Sequence, residues 1–501
     1  MTVEVKVEDT QMAEVVVPQE AALKEVEETK PETIEKSSSY REESNFLSDL
    51  KEFEKKALIE LKQKLEEAIL TNNLYKKEPE KEKETKEVEE EVERKEEVKP
   101  EGEEVEKKEE VKPEGEEVEK KEEEKPEGEE KEKEAEKEEN SNVGDEEKCA
   151  EINKNISLWG VPLLPSNGAE GTDVVLLKFL RAREFKVNEA FEMLRKTLQW
   201  RKDSNIDSIL HEDLCTDLSS AASINGVDRE GHPVSYNIFG VFESEELYQK
   251  TFGTEEKRAE FLRWRCQLME KSLQKLDLKP GGASSLLQVN DLKNSPGPSK
   301  KELRIATKQA VGILQDNYPE LVAKNIFINV PFWYYALNAL LSPFLTQRTK
   351  SKFVIARPAK VTETLLKYIP AEEIPVQYGG FKREDDFEFY GDNGAASELI
   401  LKAGMTETIE IPTTEVDTTL VWDVAVLGWE VNYMEEFVPT DEGSYTIIVQ
   451  KGKKIGLNEG PIRNTFRNNE PGKIVLTIEN TSSKKKRVFY RSKTKKSCSS
   501  F

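Results

Sequence analysis

Histidine is almost missing from this 501-residue chain, occurring only at His211 and His232. That nearly excludes a histidine-rich metal site or a dimetal centre, because imidazole is a staple ligand of such ions. Cysteine is as sparse. Cys149, Cys215, Cys266 and Cys498 show no CxxC spacing, so neither a zinc knuckle nor a disulfide framework is expected and a reduced, cytoplasmic setting fits. No run of 18 apolar residues and no signal peptide is recognisable, which implies no transmembrane span. There is also no GxSxG elbow and no GxxxxGK[ST] loop. "KPGGASS" (279–285) has the glycines but lacks the lysine and helix start of a phosphate cradle. No enzyme and no cofactor are expected.

What the chain has in excess is negative charge, −25 in all, and its placement is uneven. Residues 1–150 hold 53 Asp and Glu against 28 Lys and Arg, whereas 151–501 hold 47 of each. A segment with few aromatics and long Glu/Lys blocks cannot bury enough apolar surface to offset chain entropy. The acidic arm is therefore expected to be mostly disordered. Within it "KPEGEEVEKKEEV" (99–111) recurs with small changes at 112–124 and 125–137, a low-complexity array whose units have no apolar face to stack. One island differs. In residues 44–70, Leu47, Leu50, Phe53, Ala57, Leu61, Leu65 and Ala68 recur at steps of three and four, the spacing of an amphipathic helix. Such a helix docks on its own protein or serves a partner or membrane.

From Thr172 the pattern becomes structured. Helical stretches at 172–187 and after Asn188, a candidate N-cap, imply a small all-α subdomain over 151–220. In 221–385, strand-like segments at 232–240, 285–292, 325–331 and 352–357 alternate with helical ones at 254–276 and 299–316. That alternation implies an α/β unit with a parallel or mixed sheet. Residues 396–496 hold only strands and turns. Leu420, Trp422, Val424 and Val426 alternate there with Val421, Asp423 and Ala425, as in an antiparallel β-sandwich. Residues 497–501 make a flexible tail.

The segment "VPFWYYALNALLSPFL" (330–345) crowds aromatics on consecutive positions that one helix face cannot hold. It reads as a helix buried between sheet and helical subdomain, or as a lipid-facing gate. At this point "LLKFLRAREFKV" (176–187), "GVDREGHPVSYNIFG" (226–240), "VNDLKN" (289–294), "NYPELVAKNIFINVPFWYYALNALLSPFLTQRTKSKFVI" (317–355) and "YIPAEEIPVQYGG" (368–380) resemble a CRAL-TRIO lipid-binding domain with its helical N-terminal extension. The β-rich remainder resembles a GOLD domain, and the order acidic arm, CRAL-TRIO, GOLD is similar to that of the plant patellins.

The resemblance implies a bound phospholipid ligand, its acyl chains in a sheet-floored pocket beneath a mobile helix. It places the inositol-phosphate headgroup at Glu320 and Lys352, with Thr349 and Ser351 nearby, and the pocket or gate at Phe332, Trp333, Tyr334, Tyr335, Leu337, Leu340, Leu341 and Phe344. It further implies phosphoinositide-containing membranes as partners, trafficking proteins as further ones, no nucleic acid, and peripheral association with plasma membrane and cell plate during cytokinesis. The alternative role is a lipid-sensing scaffold that transfers nothing. Arg181, Arg183, Arg263 and Arg265 are expected in structural ion pairs. Eight Lys and Arg residues close the chain after Glu479. Of these Lys493, Lys495 and Lys496 are expected to contact anionic membrane, at about 1 kcal/mol each.

Overall fold

The computed structural model describes residues 41–75, 155–297, 300–332, 334, 347–389, 394–456 and 459–496. The expected disorder of the acidic arm lies outside them, apart from 41–75. Residues 70–153 form a separate unit, of which only the end of a helix and two turns are described.

The island forms a 3₁₀ turn at Leu47–Asp49 followed by helix α1 (Glu52–Leu70). Lys51 N donates to the Glu54 carboxylate at 2.9 Å, and Glu52 and Glu54 place negative charge on the first turn, which favours a helix start. The docked reading holds: Lys62 pairs with Asp173 at 2.7 Å and Lys64 lies over the Phe191 ring, contacts with the two helices described next. The buried stripe is Leu50, Ala57, Leu58, Leu61, Leu65 and Ile69, while Leu47 and Phe53 are more than half exposed. The expected face is thus rotated at its N-terminal end. Phe53 meets the edge of Phe185, at 5.6 Å between ring centroids, and lies under the Lys51 ammonium.

A hairpin of β1 (Ser157–Leu158) and β2 (Val161–Pro162) leads into α2 (Glu170–Ala182) and α3 (Val187–Asp203). Phe191, Leu194 and Leu198 are buried as expected. Asn188 is not the N-cap, because Glu184 and Phe185 both adopt positive φ (50° and 62°) and close α2 tightly enough for α3 to start at Val187. The Asn188 side chain instead accepts a hydrogen bond from Lys64 at 2.7 Å.

The α/β unit comprises β3 (Ala222–Val227), β4 (Pro233–Ile238), α4 (Glu245–Phe252), α5 (Glu255–Leu273), β5 (Leu286–Asp291), α6 (Lys301–Asn317), β6 (Val322–Ile328), α7 (Gln347–Ser351), β7 (Phe353–Ile355) and α8 (Val361–Leu365). Its sheet runs β3-β4-β5-β6-β7, antiparallel at the first pair and parallel thereafter. Val234, Tyr236, Leu287, Val289, Ile326 and Ile328 line one face and pack on Val361, Leu365, Ile369, Tyr378 and Phe381. The strands are largely apolar on that face, and its buried Asp291 is accommodated by the Tyr378 hydroxyl, which donates to its carboxylate at 2.9 Å.

The sandwich follows, with β8 (Ser397–Leu401), β10 (Thr418–Val426), β13 (Ile462–Arg467) and β15 (Lys486–Lys496) in one sheet. The other holds β9 (Thr406–Thr413), β11 (Val431–Pro439), β12 (Ile447–Ile455) and β14 (Gly472–Glu479). Leu420, Trp422, Val424 and Val426 point into its core. The alternate residues of β10 are also buried, because that outer face covers the α/β unit: Ala425 and Phe489 join the core cluster beneath the five-stranded sheet. At the seam Asp423, fully buried, meets Arg383 at 2.9 Å, Arg463 at 2.7 Å and Arg491 at 2.8 Å. Asp386 meets Arg463 at 2.6 Å and Arg491 at 3.0 Å.

Two outcomes follow from these contacts. Leu61→Ala, which empties a fully buried position under α1, lowers stability by about 2–5 kcal/mol in denaturant titration. Asp423→Asn leaves three guanidinium groups facing one another and costs about 3–5 kcal/mol. Calorimetry should then show the sandwich and the α/β unit melting apart, whereas one unchanged transition contradicts a shared seam.

Candidate functional site

Glu320 follows Pro319 at the entry to β6 and sits at φ 55°, a left-handed backbone that a residue with a Cβ adopts at some cost. The turn aims its carboxylate across the end of the sheet at α7 and β7. Arg348 Nε donates to it at 2.8 Å and Lys352 Nζ at 2.6 Å. Lys352, itself buried, also donates to the Val322 carbonyl at 2.9 Å. Burial alone would raise the Glu320 pKa, but the hydrogen bonds and charges of Arg348 and Lys352 outweigh it and hold the carboxyl below its usual range.

Two further cations close the site from α2. Lys178 is buried and donates to the Glu320 carbonyl at 2.9 Å and to Ser284 Oγ at 3.3 Å. Burial pulls its pKa down to about 8, against the opposing charges of Glu42 and Glu320. Arg181 donates to the Asn45 amide oxygen at 2.6 Å and to the Ser44 carbonyl at 2.7 Å.

Those last contacts reveal a strap. Residues 42–45, just ahead of α1, lie along the site and supply acids to its cations. Glu43 takes Arg348 at 2.5 and 2.6 Å, so the guanidinium bridges Glu43 and Glu320. Asn45 donates to Ser284 at 3.1 Å. Glu42 meets His232 Nε2 at 2.9 Å, and His232 Nδ1 meets Asp228 at 2.9 Å. Burial disfavours the imidazolium, yet the hydrogen bonds it donates to its two carboxylates raise the His232 pKa to about 9. Glu42, also penalised by burial, is lowered to about 2 by His232 and Lys178.

The sequence-derived residues divide. Glu320 and Lys352 are in direct contact. Thr349 is half-buried on α7, and the Ser351 hydroxyl donates to the Arg348 carbonyl at 2.7 Å, holding the turn rather than facing outward. Phe332 is 64% exposed, and Tyr334 packs on Phe327 with centroids 5.4 Å apart. Trp333, Tyr335, Leu337, Leu340, Leu341 and Phe344 lie outside the described residues. Lys495 pairs with Glu388 at 2.6 Å and Lys496 with Glu415 at 2.8 Å, and Lys493 is half-buried on β15. Sequence reasoning missed Arg348, Lys178, Ser284 and the strap. Lys178 had a readable signal, a lone charge inside the apolar run "VVLLKFL".

Of the four arginines expected in ion pairs, Arg181 lies 4.0 Å from Glu43 and Arg263 takes Glu212 at 2.5 Å. Arg183 and Arg265 have no ion pair among the described residues, the Arg265 hydrogen bond going to Asn237 at 2.7 Å.

Family profiles match three stretches: "CRAL/TRIO, N-terminal domain" over residues 57–196, "CRAL/TRIO domain" over 219–380, and "Patellin-1-like, C-terminal GOLD domain" over 402–486. The first begins inside α1, so the helical extension joins α1 to α2 and α3 across the acidic stretch. Fold and profiles together define a CRAL/TRIO protein with a patellin-type GOLD sandwich. Patellin-4 of Arabidopsis thaliana is 59% identical over 100% of both chains. Patellin-3 of the same plant is 50% identical over 68% of this chain and 69% of its own. The phosphatidylinositol transfer protein SFH5 of Scheffersomyces stipitis is 31% identical over 41% of this chain and 66% of its own. The chain belongs to the patellin family.

The strap carries a pH signature. A histidine whose folded pKa exceeds its unfolded value of about 6.5 lends stability below that pH and loses it as pH rises toward 9. The difference in thermal midpoint between wild type and His232→Gln should therefore be largest near pH 6 and shrink steadily to pH 9.5. A constant difference contradicts the charged Glu42–His232–Asp228 arrangement.

Proposed function

We propose that this chain is a peripheral membrane protein that binds phosphoinositides in its CRAL-TRIO pocket and carries or presents them in membrane trafficking, with cell-plate formation during cytokinesis as its setting. The carrying observation is the contact of Glu320 with Arg348 and Lys352 at the end of β6 and β7. Two cations held by one carboxylate offer a phosphate charge-assisted donors, while the carboxylate itself accepts inositol hydroxyls. The similarity to a chain named as a phosphatidylinositol transfer protein supports the same reading. Two acyl chains of roughly 30 methylenes represent on the order of 20–25 kcal/mol of transfer free energy at ~0.8 kcal/mol per CH₂. A carrier must match that with its own apolar lining, which is the use we give to Phe332, Tyr334 and the gate residues that follow.

In this reading the strap stands in for the lipid's phosphate: Glu43 occupies Arg348 until a phosphoinositide displaces it. The ion pairs of Lys495 and Lys496 are surface pairs worth roughly 0–1 kcal/mol, weak enough to exchange for lipid phosphates. The edge strand β12 and the segment leading into it add an exposed set on the sandwich, Tyr445, Ile447 and Ile448 beside Lys451, Lys453 and Lys454, a mixture suited to a membrane interface.

Wild type should move labelled phosphatidylinositol between two vesicle populations, and Lys352→Ala should slow that movement about tenfold or more, the loss of one charge-assisted contact, with little change in phosphatidylinositol-free vesicle binding. If wild type binds phosphoinositide vesicles but moves no lipid, the scaffold role replaces the carrier.

A further inference from the structure

The five-stranded sheet has a second face, opposite the packed one, whose character is mixed. Paired residues in parallel strands share a side, so Asn237 of β4, Asn290 of β5, and Asn325 and Phe327 of β6 lie on it, with Phe353 of β7 beyond. Towards β7 this face is aromatic: Phe327 lies 5.4 Å from Tyr334 and 5.3 Å from Phe353, centroid to centroid. Towards β4 it is polar and connected. Asn237 Nδ2 donates to Asn290 Oδ1 at 3.0 Å, and Asn290 Nδ2 donates to Asn325 Oδ1. Asparagine is disfavoured in strands, so three in line across inner strands serve something other than the sheet.

The line begins at a charge. Arg265 projects from α5 and donates to Asn237 Oδ1 at 2.7 Å. Its neighbours on the helical side are matched with acids, Arg201 by Glu270 and Asp207 and Arg263 by Glu212. Arg265 has no such acid among the described residues, and the stretch "YALNALLSPFLT" (335–346) contains none in its sequence. Burial lowers its pKa to about 10, whereas Glu270 and Asp207 overcome burial at Arg201 and raise it. A half-buried guanidinium with no counter-charge among the described residues is poised to take an anion that arrives with a ligand.

We propose that Arg265, oriented by the asparagine line, anchors the acid group of an amphiphile, a carboxylate or phosphate monoester, whose apolar body rests on Phe327, Phe353 and Tyr334. This rests on the reading that the sheet floors a lipid pocket. It is a second polar site, separate from Glu320 and Lys352. The line ends at Asn325, whose backbone N–H donates to the Lys352 carbonyl at 2.9 Å, so the two sites stand at neighbouring strands of one floor. A bidentate guanidinium suits either acid.

Fluorescence titration of the full chain with cis-parinaric acid and with its methyl ester tests this. Wild type should bind the acid at least tenfold more tightly than the ester. Arg265→Met should erase that preference and leave ester binding unchanged. Asn237→Asp keeps the guanidinium but gives it an internal carboxylate, and should likewise erase the preference while raising the thermal midpoint. Displacement of parinaric acid by lysophosphatidic acid at lower concentration than by oleic acid assigns the phosphate, and the reverse order assigns the carboxylate. Ester binding without an acid preference in wild type, or a preference that survives in both variants, overturns the Arg265 site alone. Wild type that binds neither probe overturns the pocket reading with it.

Discussion

A charge removed from water must meet its opposite, and this constraint shapes both the candidate site and the joint between domains. Glu320 is tolerable in its half-buried place because Arg348 and Lys352 reach it, and Asp423 is tolerable at full burial because three arginines converge on it. Removing one member of either set leaves the rest exposed to the full desolvation cost. The two sets nevertheless differ in purpose. The seam is saturated, with acids and guanidinium groups enclosed between domains. The candidate site borrows part of its balance from the strap, through Glu42 and Glu43, and a borrowed carboxylate can be exchanged for another anion.

That contrast explains why so few of the closing basic residues behave as a block. Arg491 is built into the seam and stacks over Phe389, 3.9 Å from guanidinium carbon to ring centroid. Lys486 donates to the Gly428 carbonyl at 2.9 Å, and Arg487 pairs with Glu398 at 2.6 Å. Consecutive strand residues point to opposite sides, so a run that reads as one positive patch along the sequence is split between a buried seam, a sheet edge and solvent.

The fold was legible where periodicity is strong. The strands of the sheet and sandwich carry apolar alternation, and Glu320 and Lys352 lay in segments whose resemblance fixed their meeting. Arg348 was not legible as Glu320's partner, because only the path β6–α7–β7 brings it there. Glu42 and Glu43 looked like two more acids in an acidic arm, and no local pattern distinguishes a carboxylate that docks from one that stays in water. The α1 stripe was placed a little off because apolar residues at steps of three and four can be chosen in two overlapping ways. Leu58 and Ile69 belong to the buried set and Phe53 does not, a choice made by the shape of α2 and α3 rather than by spacing.

The docking of α1 also changes what kind of segment the acidic stretch is. Residues 76–154 run between α1 and the hairpin that leads into α2, both of them parts of the same folded unit, so topologically they form an insertion closed at both ends and not a free tail. Closure entropy grows only as ~(3/2)RT ln n, about 0.6 kcal/mol for each doubling of length. For a flexible chain of that length, adding or deleting 13 residues, the length of one repeat at 99–137, changes the closure cost by only about 0.1–0.2 kcal/mol. The repeat number is thermodynamically almost free to drift, while the short strap and helix on one side of the insertion are held to their sequence by every acid and leucine they contribute.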